Sequence, residues 1–498
     1  MAVSLRRISP LELLHPDGVA KRCLVIGSNR PTRLLSEAHT DTGEGADLIL
    51  LSPTAAECRT RRWLEEAVQL LAQKLAGDGL GYVLAPPRWK PRITSLLRRH
   101  GLSVALAVVH LPDWTSSRYL VPLTPRLACY AFSTLRPMQL WKRRLAMGAL
   151  RLPGSEKLIG ILPSVGLVAR HPYSRPLFDW LFHLSPDFQP PGNAMISMGK
   201  QGQTGTAVLH CFSGCEPLPR AVAKVSLLTT SMTKRSREAA LMTQFGPGVR
   251  RTGARMPQPL LVAQIGGRPL LLQTVLSGHS IASLLATKPR RLFDLIERVV
   301  CWLARWNRST VVYKPLDCAQ LDQKLLAPAA LLAPFLQQGE AYKDWLAGCC
   351  AKAVGTLVPF VAAHHDLTMT NILLDEQGRL GVVDWETGCA EAFPLVDFFY
   401  AVADAAAATQ SYTDRPKAFK ACFAPGGSFA AAVARLQMHL RRVLEVPADV
   451  ADLCFHACWL NHAANEHHLN EPSERRRFLK IVQWLVWHRS QTHRWING

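Results

Sequence analysis

Residues Val361–Asp397, VAAHHDLTMTNILLDEQGRLGVVDWETGCAEAFPLVD, decide how the rest of the chain is read. Two apolar runs, Ile372-Leu373-Leu374 and Leu380 to Val383, flank a turn at Asp375-Glu376-Gln377-Gly378. Short apolar runs bounded by Gly and Asp turns predict the two strands of a hairpin. Such a hairpin brings Asn371, at the start of one strand, beside Asp384, at the end of the other. An amide oxygen and a carboxylate meeting there suit Mg²⁺, which takes few protein ligands, all hard oxygens, and leaves the rest of its shell to water and phosphates. Asp366 falls on the loop before the hairpin, placed to accept a proton from an attacking hydroxyl. His364, two residues earlier, is the candidate to fix that loop.

The arrangement His364-x-Asp366-x4-Asn371, followed by Asp384, has the form of a kinase-like catalytic loop and its metal-binding aspartate, with Trp385-Glu386 where Phe-Gly is usual. The segments HHDLTMTNILLD, GVVDWE and PLVD closely resemble the aminoglycoside phosphotransferase and choline kinase family, and the resemblance extends over residues 190–498. It implies ATP-dependent phosphotransfer to a small-molecule hydroxyl. Asp366 is then the catalytic base, His364 steadies the loop, Asn371 and Asp384 hold Mg²⁺, and Asp397 braces the loop without doing chemistry. Twelve residues separate Asp384 from Asp397 and no Ala-Pro-Glu follows, too little for a peptide-docking segment, so the acceptor is expected to be small.

Upstream, glycines 199, 202 and 205 lie between two predicted strands, where backbone amides are able to close over phosphates. The next predicted strand, Arg220 to Leu227, carries Lys224 among apolar residues, a costly place for an ammonium unless it meets anions. In the family resembled, this lysine grips the α- and β-phosphates of a nucleoside triphosphate and pairs with a helix glutamate. Glu238, fourteen residues on, begins a predicted helix and fits that part. Gln258–Ile265 and Pro269–Val275 form two strands around Gly266-Gly267, and Leu276–Ile281 takes the place of the hinge. The acidic residue usual before the hinge is replaced, which leaves ATP against GTP open. Helices are expected at Ile281–Thr287, Arg291–Asn307 and Lys343–Pro359, then near Leu395–Ala407, Phe429–Leu444, Ala451–Glu466 and Glu474–His488.

Residues 1–185 alternate strand and helix patterns: Cys23 to Ile26, Ala46 to Ser52, a helix from Arg62 to Ala76, Gly81 to Ala85, a helix from Lys90 to His100, and a closing hairpin of Leu102–His110 with Tyr119–Leu123. Residues 20–125 resemble the second half of a class I methyltransferase-like Rossmann fold. The turn after the first strand has one glycine, Gly27, where binding of S-adenosylmethionine calls for several, so a degenerate domain is expected. Phe178–Gly192 reads as a junction. The expected fold is an α/β Rossmann-like domain (1–185) followed by a two-lobed α+β kinase-like fold, with an N-lobe at 186–280 and a helical C-lobe at 281–498.

The composition is that of a globular chain of 498 residues, 48% hydrophobic and 19% charged. Its net charge of +21 is densest early, with 25 Lys and Arg against 14 Asp and Glu in residues 1–190. Such a field favours phosphorylated metabolites, a membrane surface or nucleic acid, so the basic first domain is a candidate contact for an anionic surface or polyanion, while its Trp141–Arg144 stretch reads first as a solvated helix face. No apolar run reaches the length of a transmembrane helix, no signal-peptide core follows Met1, and thirteen cysteines without a framework suit reduced thiols in a cytoplasm. Residues 401–498 hold 12 Lys and Arg against 8 Asp and Glu, which argues against a polycationic acceptor and towards a neutral or anionic one such as a sugar or nucleoside. Cys454, Cys458 and His462 share a helix face but spread over about 12 Å, so buried thiols are expected there, not a metal site. Two other readings remain: a bifunctional methyltransferase-kinase, and a pseudokinase scaffold.

Overall fold

The computed structural model describes residues 11–18, 20–26, 45–111, 119–122, 130, 165–184, 193–198, 205–212, 218–227, 232–468 and 476–491. It divides into two compact units, Met1–Ala239 with Gln258–Val275, and Ala240–Pro257 with Leu276–Gly498.

The first unit is built on one sheet. Its strands are β1 (Cys23–Ile26), β2 (Ala46–Leu51), β3 (Leu75–Ala85), β4 (Ser103–Leu111), β5 (Tyr119–Pro122), β6 (Val165–Arg170), β7 (Asn193–Met198), β8 (Thr206–Phe212), β9 (Ala221–Ser226), β10 (Pro259–Ile265) and β11 (Arg268–Thr274). They lie in the order β1-β2-β3-β6-β4-β5-β7-β8-β9-β11-β10. β2 reads as a nearly unbroken apolar run because both faces are covered. Leu48 and Leu50 point into a core with Leu13, Leu14, Phe178 and Trp180, while Ile49 and Leu51 point into another with Leu64, Val68 and Leu71 of helix Arg61–Lys74 and Ile93 and Leu97 of helix Lys90–Arg99. The first of these cores continues across the sheet through Leu120, Ile196 and Leu209 to Ala223 and Leu272.

β1, β2 and β3 run parallel, and β6 enters antiparallel between β3 and β4. The expected hairpin of β4 and β5 forms, but it does not close the sheet. β6 occupies the other edge of β4, and β5 pairs on with β7. The sequence conceals β6, since the five small and apolar residues Val165–Ala169 that precede Arg170 have no period of their own. The stretch expected as a junction contains a short helix, Asp179–Leu184, whose Trp180 is buried against the first core.

The second unit is largely helical, with two three-stranded sheets. In chain order their strands are β12 (His279–Ser280), β13 (Val312–Pro315), β14 (Leu357–Ala363), β15 (Ile372–Leu374), β16 (Leu380–Val382) and β17 (Cys389–Ala392), ordered β12-β15-β16 and β13-β14-β17. The expected helix to Pro359 stops at Ala353, because Gly355 takes φ +82 and the apolar run after it becomes β14. Helix Val396–Thr409 runs through the centre, buried from Val396 to Ala408. No helix among the described residues is long and apolar enough to cross a membrane.

Gly166 on β6 shows how tightly the first sheet packs. A methyl group there would lie 1.9 Å from the Tyr82 hydroxyl oxygen and 2.3 Å from the ring carbon bearing it. That hydroxyl is buried on His110 Nε2 at 2.6 Å and has no room to withdraw. Gly166→Ala is expected to destabilise the protein by about 1–3 kcal/mol, measured as a shift in the urea unfolding midpoint at unchanged slope.

Candidate active site

β14 delivers the chain to His364, and two acidic side chains from helix Val396–Thr409 receive it. Asp397 accepts the backbone N–H of His364 at 2.7 Å on one oxygen and that of His365 at 2.8 Å on the other. The hydroxyl of Thr387 donates to the His364 carbonyl at 2.8 Å. His365 is thereby held at φ +61, a left-handed backbone that costs a non-glycine residue about 1–2 kcal/mol. Hydrogen bonds to an ionised carboxylate contribute about 1.5–3 kcal/mol each and more than offset that cost. The His364 ring donates from Nε2 to the Val383 carbonyl at 2.9 Å, and its Nδ1 accepts the Asp366 N–H at 3.3 Å. One imidazole therefore links the loop carrying Asp366 to the strand end before Asp384. Trp385, fully buried, packs on the imidazole with ring centres 4.7 Å apart.

The hairpin forms in the expected register, Ile372 opposite Val382 and Leu374 opposite Leu380. Its open end is closed by the Val383 N–H on the Asn371 carbonyl at 2.9 Å, which sets Asn371 across from the residue before Asp384. The Asn371 side-chain amide donates to the Asp366 backbone carbonyl at 2.9 Å and to the Asp366 carboxylate at 3.1 Å. That fixes which end of the amide is which, and leaves Oδ1 as the atom a cation would take. Asp384, in left-handed backbone at φ +69, supplies the carboxylate. Both atoms are hard oxygens of the kind Mg²⁺ takes, and an ion with so few protein ligands would draw on phosphate and water for the rest of its shell. Asp366 is pushed up to about 7, by burial first and then by the charges of Asp384 and Asp404, against the opposing effects of Arg415 and the Asn371 hydrogen bond. A carboxyl poised there suits a general base.

Asp404 was not foreseen. It lies seven residues after Asp397 on the same helix, fully buried, and accepts the Met369 N–H at 2.7 Å and the Tyr412 hydroxyl at 3.0 Å on one oxygen. Its other oxygen is 2.8 Å from Nη2 of Arg415. The signal lay in the sequence: two aspartates two helical turns apart in the otherwise apolar VDFFYAVADAAAAT share a face, and buried carboxylates require partners.

Lys224 and Glu238 belong to the first unit, and they meet. β9 is buried along its length, with Ala223 and Val225 turned into the core and Lys224 to the opposite face, where its ammonium pairs with Glu238 Oε1. Arg235, also unforeseen and fully buried, donates to Glu238 Oε2 at 2.9 Å and to the Thr206 hydroxyl at 2.6 Å. Glu238 is therefore gripped on both oxygens. Gly205 takes φ +51, while Gly199, Gly202 and Trp141–Arg144 lie outside the described residues. Cys454 and Cys458 are buried thiols, and no group of three or more metal-ligating side chains occurs among the described residues.

The sign of the Asp366 shift gives a test. Its folded value, about 7, stands above the ordinary 3.8, so the native state holds the proton more tightly than the unfolded chain. The resulting stabilisation is complete below the ordinary value and is lost as pH rises towards 7. Carbon-13 NMR of the metal-free protein should place the Asp366 midpoint near 7. Asp384→Asn should lower it without restoring 3.8, because burial remains. A midpoint indifferent to Asp384 would separate the two carboxylates.

Residues 220–421 match the family described as "Phosphotransferase enzyme family". No curated protein matches the chain. Among solved structures, it is similar to an aminoglycoside phosphotransferase from Streptomyces rimosus (15% identity, 56% of this chain and 96% of that one, TM-score 0.33). It is also similar to an aminoglycoside-3′-phosphotransferase of type VIII (17% identity, 57% and 97%, TM-score 0.35). A third is a putative fructosamine-3-kinase from Haemophilus somnus (10% identity, 58% and 88%, TM-score 0.33). At such scores these likenesses carry no weight beside the family match. The matched segment contains Lys224, Glu238, Asp366, Asn371, Asp384, Asp397, Asp404 and Arg415, and with it the chain is an enzyme of phosphate transfer to hydroxyl groups.

Proposed function

We propose that the chain transfers the γ-phosphate of ATP to a hydroxyl of a small, neutral or anionic acceptor. The observation that carries this reading is the single hydrogen-bonded loop in which Asn371 holds Asp366 and lies across the hairpin from the strand end that leads into Asp384. In the step itself, the acceptor oxygen bonds to the γ-phosphorus, the bond from that phosphorus to ADP breaks with its electron pair leaving on ADP, and the hydroxyl proton passes to Asp366. Asn371 Oδ1 and the Asp384 carboxylate are the ligands for Mg²⁺, which when bound neutralises phosphate charge. Lys224, steadied by Glu238 and through it by Arg235, is the phosphate-gripping cation, and glycines 199, 202 and 205 supply the covering loop. His364 keeps Asp366 and Asp384 in register. Catalysis is then mainly positioning and charge complementarity.

A small acceptor is supported by the segment after Asp384. It turns through a 3₁₀ helix at Trp385–Thr387 and is strapped onto β14 as β17, with Val361 opposite Ala392 and Ala363 opposite Cys389. The segment is short and tied along one edge, unlike a long peptide-docking loop. For residues 1–185, the parallel β1-β2-β3 set with β6 antiparallel between β3 and β4 supports a degenerate Rossmann-like part, whose sheet runs on through β5 and β7 into the strands of a kinase-like N-lobe at 186–280, with a C-lobe at 281–498. The eleven cysteines among the described residues carry free thiols, in keeping with a cytoplasmic protein. The basic first domain is its contact with anionic surfaces.

The test is ADP formation by the purified protein with Mg²⁺ and either ATP or GTP, across sugars, nucleosides and aminoglycosides. Turnover with one acceptor class is expected, falling about 100-fold or more in Asp366→Ala. Lys224→Met should chiefly raise the KM for ATP. Nucleotide binding without turnover of any acceptor would favour the scaffold, and no nucleotide binding would overturn the proposal.

A further inference from the structure

Arg415 stands at the first position of helix Arg415–Phe423, the end where the helix dipole disfavours a cation. Its side chain is only 19% exposed. A guanidinium is not drawn into such a place without compensation. Part of it is the Asp404 carboxylate at 2.8 Å, the group that also receives the Met369 N–H three residues past Asp366. The rest is aromatic: the guanidinium carbon lies 5.0 Å from the Tyr412 ring centre and 5.5 Å from that of Phe478.

These rings belong to one wall. Phe478 stacks on His462 at 5.1 Å, and His462 stacks on Tyr400 at 3.8 Å. His462 is a neutral imidazole, pushed down to about 3 by burial first and then by His365 and Arg415. Tyr400 keeps its proton, its phenol raised by burial and by the charge of Asp366. Asp404 ties the guanidinium to Met369, three residues past Asp366, and the stack runs from Phe478 beside Arg415 through His462 to Tyr400, so the cation and the wall lie against the loop that carries the base. An arginine offers five N–H donors. The ion pair with Asp404 engages Nη2, while Nε and Nη1 have no hydrogen-bond partner among the described residues and are not sealed from solvent. They are the donors left for a ligand.

We propose that the acceptor is an acid: a small molecule whose carboxylate or phosphate is bound by Arg415 while Asp366 receives the proton of its hydroxyl. This rests on the phosphotransferase reading above and narrows its acceptor. The aromatic wall of Tyr400, His462 and Phe478 takes the carbon skeleton, and the guanidinium gives the acceptor's anion its counter-charge. A guanidinium offers carboxylate and phosphate the same pair of parallel donors, so both belong to the proposal.

The test is calorimetric binding of glucose, glucuronate and glucose 6-phosphate to the full chain saturated with Mg-ADP. At least one of the two acids is expected to bind about ten-fold or more tightly than glucose, and the tighter acid identifies the oxyanion. Arg415→Gln should bring the ratio to near one, while Arg415→Lys, which keeps the charge and loses the fork, should retain part of it. Thermal midpoints of both variants establish that they are folded. Equal binding of the three compounds, including none, or a preference that survives Arg415→Gln, would overturn the proposal and leave Arg415 a partner of Asp404 alone. Failure of the underlying reading looks different: Mg-ADP itself would not bind.

Discussion

The second unit depends on the grip of one helix on one loop. Asp397 and Asp404 are buried on helix Val396–Thr409, and between them they receive the N–H groups of His364, His365 and Met369. Three amides that would otherwise be orphaned between β14 and β15 are thus satisfied by two ionised side chains. Each carboxylate is engaged on both oxygens. Their return is geometric, for they hold the backbone of Asp366 from both sides and allow His365 its left-handed turn. A loop held only by backbone ladders could not take that path, because the turn interrupts the ladder on each side.

The charges around Asp366 follow from the same construction. Three aspartates close together would repel unless their partners differed, and here each has its own: amides and Arg415 for Asp404, amides for Asp397, the Asn371 amide for Asp366. The Asp366 carboxyl is raised to about 7 by burial first and then by the charges of Asp384 and Asp404, with Arg415 and the Asn371 amide opposing. Burial and the surrounding charges together set its proton affinity.

Much of this was legible in the sequence, and what was missed has a physical reason. The hairpin and Asn371 facing the Asp384 end follow from local spacing and turn residues, Lys224 stands out as a charge in an apolar strand, and its pairing with Glu238 follows from the family resemblance. Arg235 and Arg415 were missed because an arginine near a helix start normally reads as solvated, and its burial depends on partners distant in sequence: Thr206 for one, Asp404 and Phe478 for the other. β6 was missed for a different reason. A strand inserted between two others is defined by its neighbours, and the apolar run Val165–Ala169 has no pattern that names them.

The sheet of the first unit places a constraint on how Lys224 is held. Its strand, β9, lies between β8 and β11, and β8 pairs with β7, whose other edge is taken by β5 through Tyr119 opposite Ser197 and Leu120 opposite Ile196. Leu120, Ile196, Leu209 and Ala223 also pack in one core. Removing the strands before residue 185 would therefore leave β7 an open edge and uncover apolar surface on the face opposite Lys224. Exposed strand edges and stripped cores are the features that soluble sheets avoid. The lysine is oriented because its neighbours Ala223 and Val225 are committed to that core, so its alternation to the other face is fixed by packing that reaches back to Leu48 and Leu50 of β2. The strand beneath the Lys224 ammonium is held by packing that it shares with the strands before residue 185.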